Sequence, residues 1–541
     1  MKKNIDVFME ELNLTSRRLE QKMNPLERKR TGSYYTDVSL TDVMMNELLC
    51  DIIKSGKRII ECSFLEPCVG TGNFVFSYLR QVDKLQLTQA EKEKVLKNIY
   101  VSDINDIALL QYKKNLTKFC SECWNVALED DYFKTHVCSG LLINILSEEP
   151  KYISLEDGFS KKIALERFDI IATNPPYKNI KAERNQYKTN DDFNNDKEKY
   201  EDVKRILNKK YKYSTGGVLN IYKFFVEEII DTYSKKNAHI SILIPASILS
   251  DKTSQKIRTH ILKDECLLSV RFIPEGSGYI DAQQALCAML LKKGEKTKDI
   301  SIYKDFKNFP QQKVVVGIDD VINSSTGNSI VAINKNEYAL LKEMRKFPLI
   351  RDLDFIKNLR GELDLSLNRN DISKNNTGYP FLRGRNISAF ELINNNDMEF
   401  ASTDFIKKTS KIEYIMKDRI VCQQIANMHK KHRVSFAFVP KNFVLGNSCN
   451  FISVDENLYG IDIYALLGLL NTKLIDWFFK LTSSNNHINN YEIDNFPIPI
   501  ESNMLKEISF NTKEFLKTRE KALLQKIENC TRIAFGIDNI Q

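Results

Sequence analysis

The sequence predicts an α/β protein in which a Rossmann-like sheet domain is followed by a second, mixed α/β domain. Two observations support this prediction. Between about residues 64 and 293, short apolar runs of strand type alternate with longer amphipathic segments, which is typical of a parallel sheet covered by helices. Beyond about residue 293 this alternation fades, and asparagine-rich turns separate less regular apolar segments. A chain of 541 residues is also too long for one ordinary core.

The composition is that of a globular protein. Hydrophobic residues make up 42% of the chain and charged residues 28%, and no apolar run approaches the roughly 20 residues of a membrane span. The first residues carry charges throughout and do not resemble a secretion signal, so we expect a cytoplasmic, bacterial protein that binds no membrane. The net charge of +8 favours a polyanionic partner only weakly, because a mixed-charge surface gives the same sum.

The eleven cysteines are scattered without the dense spacing of a disulfide framework, which favours reduced thiols. One group, Cys120, Cys123, His136 and Cys138, contains the residue types that bind zinc. The second paired spacing of a zinc site is missing, however, so the sequence predicts no metal site.

The first predicted strand leads into a glycine-rich turn. In "FLEPCVGTGNF" the strand is followed by Glu66 and by Gly70 and Gly72, and a helix begins near Asn73. Glycines there would let the backbone approach a ligand closely, although a plain tight turn has the same pattern. Glu66 would repel a pyrophosphate but attract a cationic amine. The motif therefore favours S-adenosylmethionine over a dinucleotide.

The second predicted strand, in "NIYVSDIND", ends at Asp103. In Rossmann-type sheets a carboxylate at this position accepts hydrogen bonds from ribose hydroxyls. Either acid alone is more often a helix cap. The order and spacing of Glu66 and Asp103 together favour a cofactor site.

The third predicted strand, in "RFDIIATNPPYKNI", ends at Asn174, Pro175, Pro176 and Tyr177. Two prolines fix a turn that places an amide and an aromatic ring at the mouth of the strand. The Asn174 side-chain oxygen and the Pro175 carbonyl can accept both hydrogens of an aromatic amine, which turns its lone pair toward an electrophilic methyl group. Tyr177 offers a face on which an extruded base can stack. A plain proline turn would explain neither the amide nor the aromatic ring.

The segment from Lys178 to Gly217 is polar and highly charged. Its composition predicts a long mobile loop, and its place directly after Tyr177 favours a cover for the site.

These motifs together resemble those of adenine-N6 DNA methyltransferases. The order is that of the gamma type, because "TGSYYTD" precedes the glycine motif and a long domain follows the catalytic one. The resemblance is strongest from Gly32 to Lys293. It implies a site-specific methyltransferase that uses S-adenosylmethionine to methylate the N6 amino group of an adenine flipped out of duplex DNA, as the modification enzyme of a restriction system or an orphan methylase. A companion restriction endonuclease is then a candidate partner.

The resemblance also implies residue roles. Asn174 to Tyr177 are the catalytic turn, and Tyr279 forms the second face of a sandwich around the base. The residues implied to bind the cofactor are Tyr35, Thr36, Glu66, Gly70, Gly72, Asp103, Asp131, Tyr132 and Asn174.

The C-terminal part resembles the TaqI-like specificity domain, through segments such as "YPFLRGRNI". Between Lys407 and Lys441 the chain carries nine basic residues against two acids, which beside a base-modifying site favours a phosphate-binding surface over a merely solvated loop. We expect Lys430, Lys431 and Arg433 to hold phosphates. Arg383 and Arg385 could contact bases or phosphates, and the sequence does not separate these roles.

The motifs predict four segments, and four other functions compete with DNA adenine methylation. The segments are an N-terminal helical segment (1–30), a catalytic domain (31–300), a connecting region (301–345) and a target recognition domain (346–541). The same Asn-Pro-Pro-Tyr turn serves enzymes that methylate a glutamine amide, which are typically much shorter, or a ribosomal RNA base. A catalytically silent specificity subunit would carry eroded motifs, and a fused nuclease would need more than the thirty residues before the first motif.

Overall fold

The computed structural model divides the chain into two compact units, Met1–Ile333 and Asn334–Gln541. The residues that the structure describes are 4–22, 35–129, 131–140, 152–154, 160–161, 167–182, 189–217, 219–280, 284–306, 312–322, 327–393, 398–427, 430–483 and 486–537.

The first unit contains one large sheet with helices between its strands. Its strands are β1 (Phe64–Glu66), β2 (Ile99–Asp103), β3 (Val137–Ser139), β4 (Tyr152–Ser154), β5 (Ser160–Lys161), β6 (Phe168–Thr173), β7 (Ser234–Pro245), β8 (Cys266–Ile273), β9 (Leu286–Lys292), β10 (Asp299–Tyr303) and β11 (Val314–Gly317). Its helices are α1 (Ile5–Lys22), α2 (Val38–Lys54), α3 (Asn73–Asp83), α4 (Gln89–Lys97), α5 (Asp106–Phe119), α6 (Tyr132–His136), α7 (Asn190–Lys210), α8 (Ile221–Glu228), α9 (Gln255–Lys263) and α10 (Ile318–Val321).

The strands follow the order β11-β10-β8-β9-β7-β6-β1-β2-β3-β4-β5. Five consecutive strands in this order, β7-β6-β1-β2-β3, run parallel to one another. This arrangement confirms the predicted Rossmann-like α/β class. Strand β9 lies antiparallel between β7 and β8 and was not predicted as such. The strand order reverses between β1 and β6, and in open α/β sheets ligands bind beyond the carboxyl ends of the strands at this point.

Two segments differ from the sequence-based expectations. Strands β10 and β11 extend the large sheet, so the beginning of the expected connecting region (301–345) is part of the first unit. Within the segment expected to be a mobile loop, the structure has the helix α7; residues 183–188 of that segment lie outside the described residues.

The helix α7 escaped prediction because it has almost no apolar face. Leu207 is its one buried residue, so hydrophobic periodicity gives no signal. Thr189 caps its first turn by accepting a hydrogen bond from the Asp192 amide (3.1 Å), and charged pairs three residues apart, such as Lys204 and Glu201, lie along its surface.

The second unit is a mixed α/β domain with smaller sheets. Its strands are β12 (Ile356–Arg360), β13 (Ile372–Ser373), β14 (Pro380–Leu382), β15 (Ile387–Ser388), β16 (Glu391–Leu392), β17 (Glu399–Ala401), β18 (Arg419–Gln423), β19 (Phe436–Val439), β20 (Val444–Leu445) and β21 (Cys449–Val454). Its helices are α11 (Lys335–Met344), α12 (Thr403–Lys408), α13 (Ile412–Ile415), α14 (Ile463–Leu470), α15 (Lys473–Thr482), α16 (Asn490–Ile493), α17 (Met504–Thr518) and α18 (Lys521–Ala534).

One four-stranded sheet of this unit is antiparallel and has the order β12-β21-β18-β19. A second sheet has the order β13-β17-β14-β20, and β15 pairs with β16. Buried side chains of both larger sheets, among them Val421, Phe451 and Leu445, form one core cluster. The two four-stranded sheets of this unit therefore share a packed hydrophobic core.

Candidate active site

Three polar residues singled out from the sequence lie at one edge of the large sheet. Glu66 ends β1, Asp103 ends β2, and Asn174 directly follows β6. Strand β1 pairs in parallel with both β2 and β6, so the three carboxyl ends are neighbours. The switch in strand order falls between β1 and β6, which makes this edge the expected ligand site.

Glu66 is a buried acid with an unused oxygen. Its residue is 1% exposed, and among the described residues its Oε2 atom has no hydrogen-bond partner. Burial raises its pKa well above the usual range, and the nearby Asp103 adds to the effect. A buried carboxylate oxygen without a donor is costly in the free protein, so it fits a donor supplied by a ligand.

Asp103 joins the second strand to the glycine-rich turn. Its Oδ2 accepts a hydrogen bond from the Gly70 amide (2.8 Å), and its Oδ1 accepts one from the Asn105 amide (2.9 Å). Burial raises the pKa of Asp103, although these backbone hydrogen bonds work in the opposite direction. The carboxylate is held rigidly, and each oxygen keeps a second lone pair for a ligand hydroxyl.

The two glycines of this turn are required by backbone geometry and by packing. Both have positive φ, 53° at Gly70 and 98° at Gly72. A Cβ atom on Gly70 would lie 3.1 Å from the Tyr35 ring, and one on Gly72 would lie 2.6 Å from the Phe76 ring. These glycines therefore let aromatic side chains pack directly against the turn.

The amide of Asn174 is oriented from both of its ends. Its Nδ2 donates to Thr36 Oγ1 (2.9 Å), and its Oδ1 accepts a hydrogen bond from the Tyr177 hydroxyl. The Tyr177 hydroxyl also lies 2.8 Å from the Leu243 carbonyl on β7. These contacts assign the amide oxygen and hold it in place at the mouth of β6.

Thr36 links the catalytic turn to the glycine-rich turn. It is 5% exposed, and its carbonyl accepts a hydrogen bond from Asn73 Nδ2 (2.5 Å). The next residue, Asp37, donates its amide to the Tyr279 carbonyl (3.2 Å). The segment predicted to approach the methionine end of the cofactor thus contacts both turns and the Tyr279 segment.

The helix α1 contributes residues to this region that the sequence analysis missed. Ser16 is 1% exposed, and its hydroxyl lies 2.6 Å from Thr71 Oγ1 and 2.9 Å from Asn73 Oδ1 in the glycine-rich turn. Arg17 forms an ion pair with Asp37 (2.6 Å). A signal exists in the sequence, because Ser16 continues the buried face of α1 formed by Phe8, Met9 and Leu12.

A polar cavity of about 240 Å³ lies between α1 and this segment. Its lining includes Glu20 of α1, Tyr35, Thr36 and Tyr279. The Tyr279 ring contacts Phe306 edge to face, with 4.3 Å between ring centroids. The structure therefore places Tyr279, expected to form the second face of a base sandwich, beside the cofactor motif.

Tyr132, which the resemblance implied to bind the cofactor, belongs to a buried aromatic group. It is 3% exposed, its ring stacks on His136, and its hydroxyl donates to the Ile99 carbonyl (3.2 Å). Ile99 begins β2, whereas Asp103 ends it. The Tyr132 side chain is therefore buried, while Asp131 before it is exposed.

The basic residues of the second unit fall into two groups. Arg385, Lys430 and Lys431 are exposed, as expected of residues that contact nucleic acid. Arg433 is 2% exposed and lies over the Phe479 ring, and its expected contact with phosphate stays a prediction. Arg383 is half-buried and forms an ion pair with Glu399 (2.6 Å). Met428 and His429 of the central basic stretch lie outside the described residues.

The described residues bring three potential metal ligands together at Asp231, His260 and Glu265, not at the cysteine group considered from the sequence. Both ring nitrogens of His260 contact carboxylates, those of Asp264 (2.8 Å) and Asp231 (3.2 Å). Burial alone would lower the pKa of His260, but the two carboxylates outweigh it and raise the pKa. This arrangement stabilises an imidazolium instead of a neutral metal-binding ring.

No helix in the described part of the chain combines the length and the apolar character that crossing a bilayer requires.

Comparisons with known proteins agree with this geometry. Residues 97–276 match the family model of the Eco57I restriction-modification methylase, and residues 379–498 match that of the TaqI-like C-terminal specificity domain. These matches confirm the resemblance to a DNA methyltransferase with such a specificity domain. No curated protein sequence matches the chain.

Two solved structures of protein–DNA complexes share the fold. The type IIL restriction-modification enzyme MmeI, solved in complex with DNA, superposes with a TM-score of 0.54 at 11% identity, over 96% of this chain and 78% of MmeI. The DrdV–DNA complex superposes with a TM-score of 0.53 at 11% identity, over 94% of this chain and 59% of DrdV. The chain thus spans little more than half of DrdV.

Proposed function

We propose that this chain, which carries an Eco57I-type restriction-modification methylase domain and a TaqI-like specificity domain, methylates the N6 amino group of adenine at a specific site in duplex DNA. The observation that carries the proposal is the Asn174 amide, which Thr36 and Tyr177 hold at the mouth of β6 beside the unused oxygen of Glu66.

The catalytic turn suits an aromatic amine. Such a nitrogen is a poor nucleophile, because its lone pair is delocalised into the ring. Asn174 Oδ1 and the Pro175 carbonyl can accept its two hydrogens and bias the nitrogen toward tetrahedral geometry, which frees the lone pair for attack. Because the methylated nitrogen is cationic, it loses a proton readily, and the site needs no strong base.

The strand-end residues suit S-adenosylmethionine, which when bound supplies an electrophilic methyl group on a sulfonium centre. The unused Glu66 oxygen can accept a hydrogen bond from the cofactor. The held Asp103 carboxylate can accept hydrogen bonds from ribose hydroxyls. Neither acid would suit a pyrophosphate, whose charge both would repel.

The target base must leave the duplex to reach Asn174, since N6 is stacked and paired there. Within the catalytic turn, the Tyr177 hydroxyl contacts Asn174. The Tyr279 carbonyl accepts a hydrogen bond from the amide of Asp37, the residue after Thr36. We assign these two rings to the two faces of the extruded adenine. The second unit then supplies the grip on the duplex, through exposed basic residues such as Lys430 and Lys431.

Transfer of a labelled methyl group tests this function. The purified protein is incubated with labelled S-adenosylmethionine in three separate reactions, which contain duplex DNA, ribosomal RNA or a release factor. We expect label in DNA alone, recovered as N6-methyladenine after digestion to nucleosides. Label in RNA or in the release factor instead would identify one of the alternative methyltransferases.

A further inference from the structure

One edge of the antiparallel sheet in the second unit gathers residues that suit contact with DNA bases. Strand β12 ends at Arg360 and β18 ends at Gln423, while β21 begins at Cys449. Arg360 pairs with Asn450, and Gln423 pairs with Cys449. Because these strands are antiparallel, the residues just beyond Arg360 and Gln423 lie at the same edge.

A tight turn brings Arg385 to this edge. The Gly384 amide donates to Ser448 Oγ (3.0 Å), and a Cβ atom at Gly384 would lie 2.7 Å from the Ser448 carbonyl oxygen. Glycine is therefore needed for the turn to approach the strand so closely. Arg385, the next residue, is exposed.

The loop after β18 is held by backbone contacts. The Gln424 carbonyl accepts a hydrogen bond from the Ile488 amide (2.7 Å), and the Ala426 amide donates to the Asn486 carbonyl (2.8 Å). Ile425 between them is 58% exposed, whereas Ala426 is buried. An exposed isoleucine on a well-held loop fits an apolar contact with a ligand.

Arg360 is also pre-oriented. Its Nε donates to the Asn447 carbonyl (2.8 Å), and one terminal nitrogen lies 3.4 Å from Gln424 Oε1. Asp364 and Glu399, two of the acids near this edge, already have partners. Asp364 accepts a hydrogen bond from Asn447 Nδ2 (2.8 Å), and Glu399 is paired with Arg383.

We propose that Arg360, Arg385, Gln424 and Ile425, called here the recognition edge, contact base edges in the major groove and choose the methylated sequence. This proposal rests on the proposed function. Arginine matches the two acceptors of guanine, glutamine matches the donor and acceptor of adenine, and an apolar side chain matches the thymine methyl group. Arg383, bound to Glu399, supports the turn instead.

Phosphate contacts are assigned to a different part of the same loop. Lys430 and Lys431 follow Gln424 by a few residues and are exposed. They point to affinity without sequence information, because phosphates are the same at every base pair. The recognition edge and this pair should therefore respond differently to substitution.

The test uses the full chain and a pool of random-sequence duplexes. After incubation with S-adenosylmethionine, sequencing of methylated duplexes shows which bases surround the modified adenine. We expect Arg385→Lys and Gln424→Ala to relax or change the preferred base at one position each. Binding to the preferred duplex should weaken about 5- to 150-fold, which corresponds to roughly 1–3 kcal/mol for a bidentate base contact.

Two further variants separate base contacts from charge. Lys430→Ala should leave the methylated sequence unchanged, weaken binding to all duplexes alike, and reduce the slope of log affinity against log salt by about 0.9. Lys517→Ala removes the same charge on the helix α17, outside the basic stretch, where Lys517 pairs with Glu514 (3.0 Å), and should change neither property. Arg385→Lys keeps its charge, so a change of sequence cannot come from lost charge.

The outcomes are distinguishable. If the wild-type protein methylates one sequence, and both recognition-edge variants methylate that same sequence with unchanged affinity, the assignment of the recognition edge is wrong while the proposed function stands. If the wild-type protein methylates no duplex at all, the proposed function fails and this assignment fails with it.

Discussion

The residues of the candidate site differ in whether their polar atoms have partners in the free protein. Glu66 is the clearest case, because its carboxylate is buried, lies near Asp103 and has an unused oxygen. Asn174 is the opposite case, since both ends of its amide have partners that fix its orientation. One residue is poised to bind and the other to orient, and each makes a separate prediction.

Asn174→Ala should lower the rate of methyl transfer about 100-fold or more, the typical effect of removing a hydrogen-bonding group that acts on the transition state. Cofactor affinity should change little, because Asn174 acts on the nucleophile. Thr36→Val removes only the partner of the amide nitrogen and should cause a smaller loss. Single-turnover methylation and calorimetry with S-adenosylmethionine measure the two effects. Near-normal turnover by Asn174→Ala would refute the proposed mechanism.

Glu66→Gln should weaken cofactor binding and stabilise the free protein. A lost charge-assisted hydrogen bond costs about 1.5–3 kcal/mol of binding free energy. The folded-state pKa of Glu66 is raised, so the folded protein binds this proton more tightly than the unfolded chain does. As pH rises above 4.5, the unfolded chain loses the proton first, and the stability of the folded protein therefore falls. The variant lacks this loss and should be more stable than the wild-type protein at neutral pH.

Thermal unfolding at several pH values checks this prediction. Near pH 4 both forms should be about equally stable, and the gap should open above pH 4.5. Glu61→Gln is a matched control, because Glu61 is exposed and pairs only with Arg58 at the surface. A variant that unfolds at the wild-type temperature at every pH, or binds the cofactor normally, would contradict the placement of Glu66.

At the scale of elements, α1 contacts the glycine-rich turn of the proposed cofactor site, although it lies outside the methyltransferase motifs. Phe8 packs edge to face on Phe76 and Phe119, with ring centroids 5.1 Å and 5.2 Å away. This apolar contact aligns Ser16 with the glycine-rich turn. The helix therefore helps to position the glycine-rich turn through Ser16.

Ser16→Ala should weaken S-adenosylmethionine binding by about 2- to 12-fold, since one net hydrogen bond is worth about 0.5–1.5 kcal/mol. The effect should appear in cofactor affinity and not in the methylated sequence. Thr15→Ala is the control, because the Thr15 hydroxyl donates only to the Glu11 carbonyl of its own helix (2.9 Å). Calorimetry that finds equal affinities for both variants would remove α1 from the site.

At the scale of the whole molecule, each unit has its own sheet and its own core. Glu66, Asp103 and Asn174 belong to Met1–Ile333. The exposed residues Lys430 and Lys431 belong to Asn334–Gln541. Chemistry and sequence choice are thus assigned to different units, which predicts that they can be separated.

A protein that ends at Ile333 should fold and bind S-adenosylmethionine but show little or no site-specific methylation. Its affinity for duplex DNA should also fall, because Lys430 and Lys431 are lost with the second unit. Methylation mapping on plasmid DNA, together with calorimetry of cofactor binding, provides the measurement. Modification of the same adenines at a rate comparable to that of the full chain would show that the first unit chooses the site.

Much of the site was predictable because its chemistry depends on short, local patterns. Glu66, Asp103 and Asn174 each follow an apolar run of strand type, and that pattern was enough to place them at strand ends. The helix α7 was missed, since solvent-exposed ion pairs leave no hydrophobic period. The burial of Tyr132 and Arg433 was not predicted, because burial depends on packing partners that lie far away in the chain.

The sequence by itself determined the α/β class, the polar residues at three strand ends and the rigid Asn174 turn, since each depends on neighbours along the chain. Only the tertiary structure decided that β1 lies between β2 and β6, that α1 closes on the glycine-rich turn, and that Arg385 and Gln424 share one sheet edge. The physical reason is that strand order and helix docking come from burying apolar surface between distant segments. Local patterns specify which side chains are polar, but long-range packing decides which of them meet.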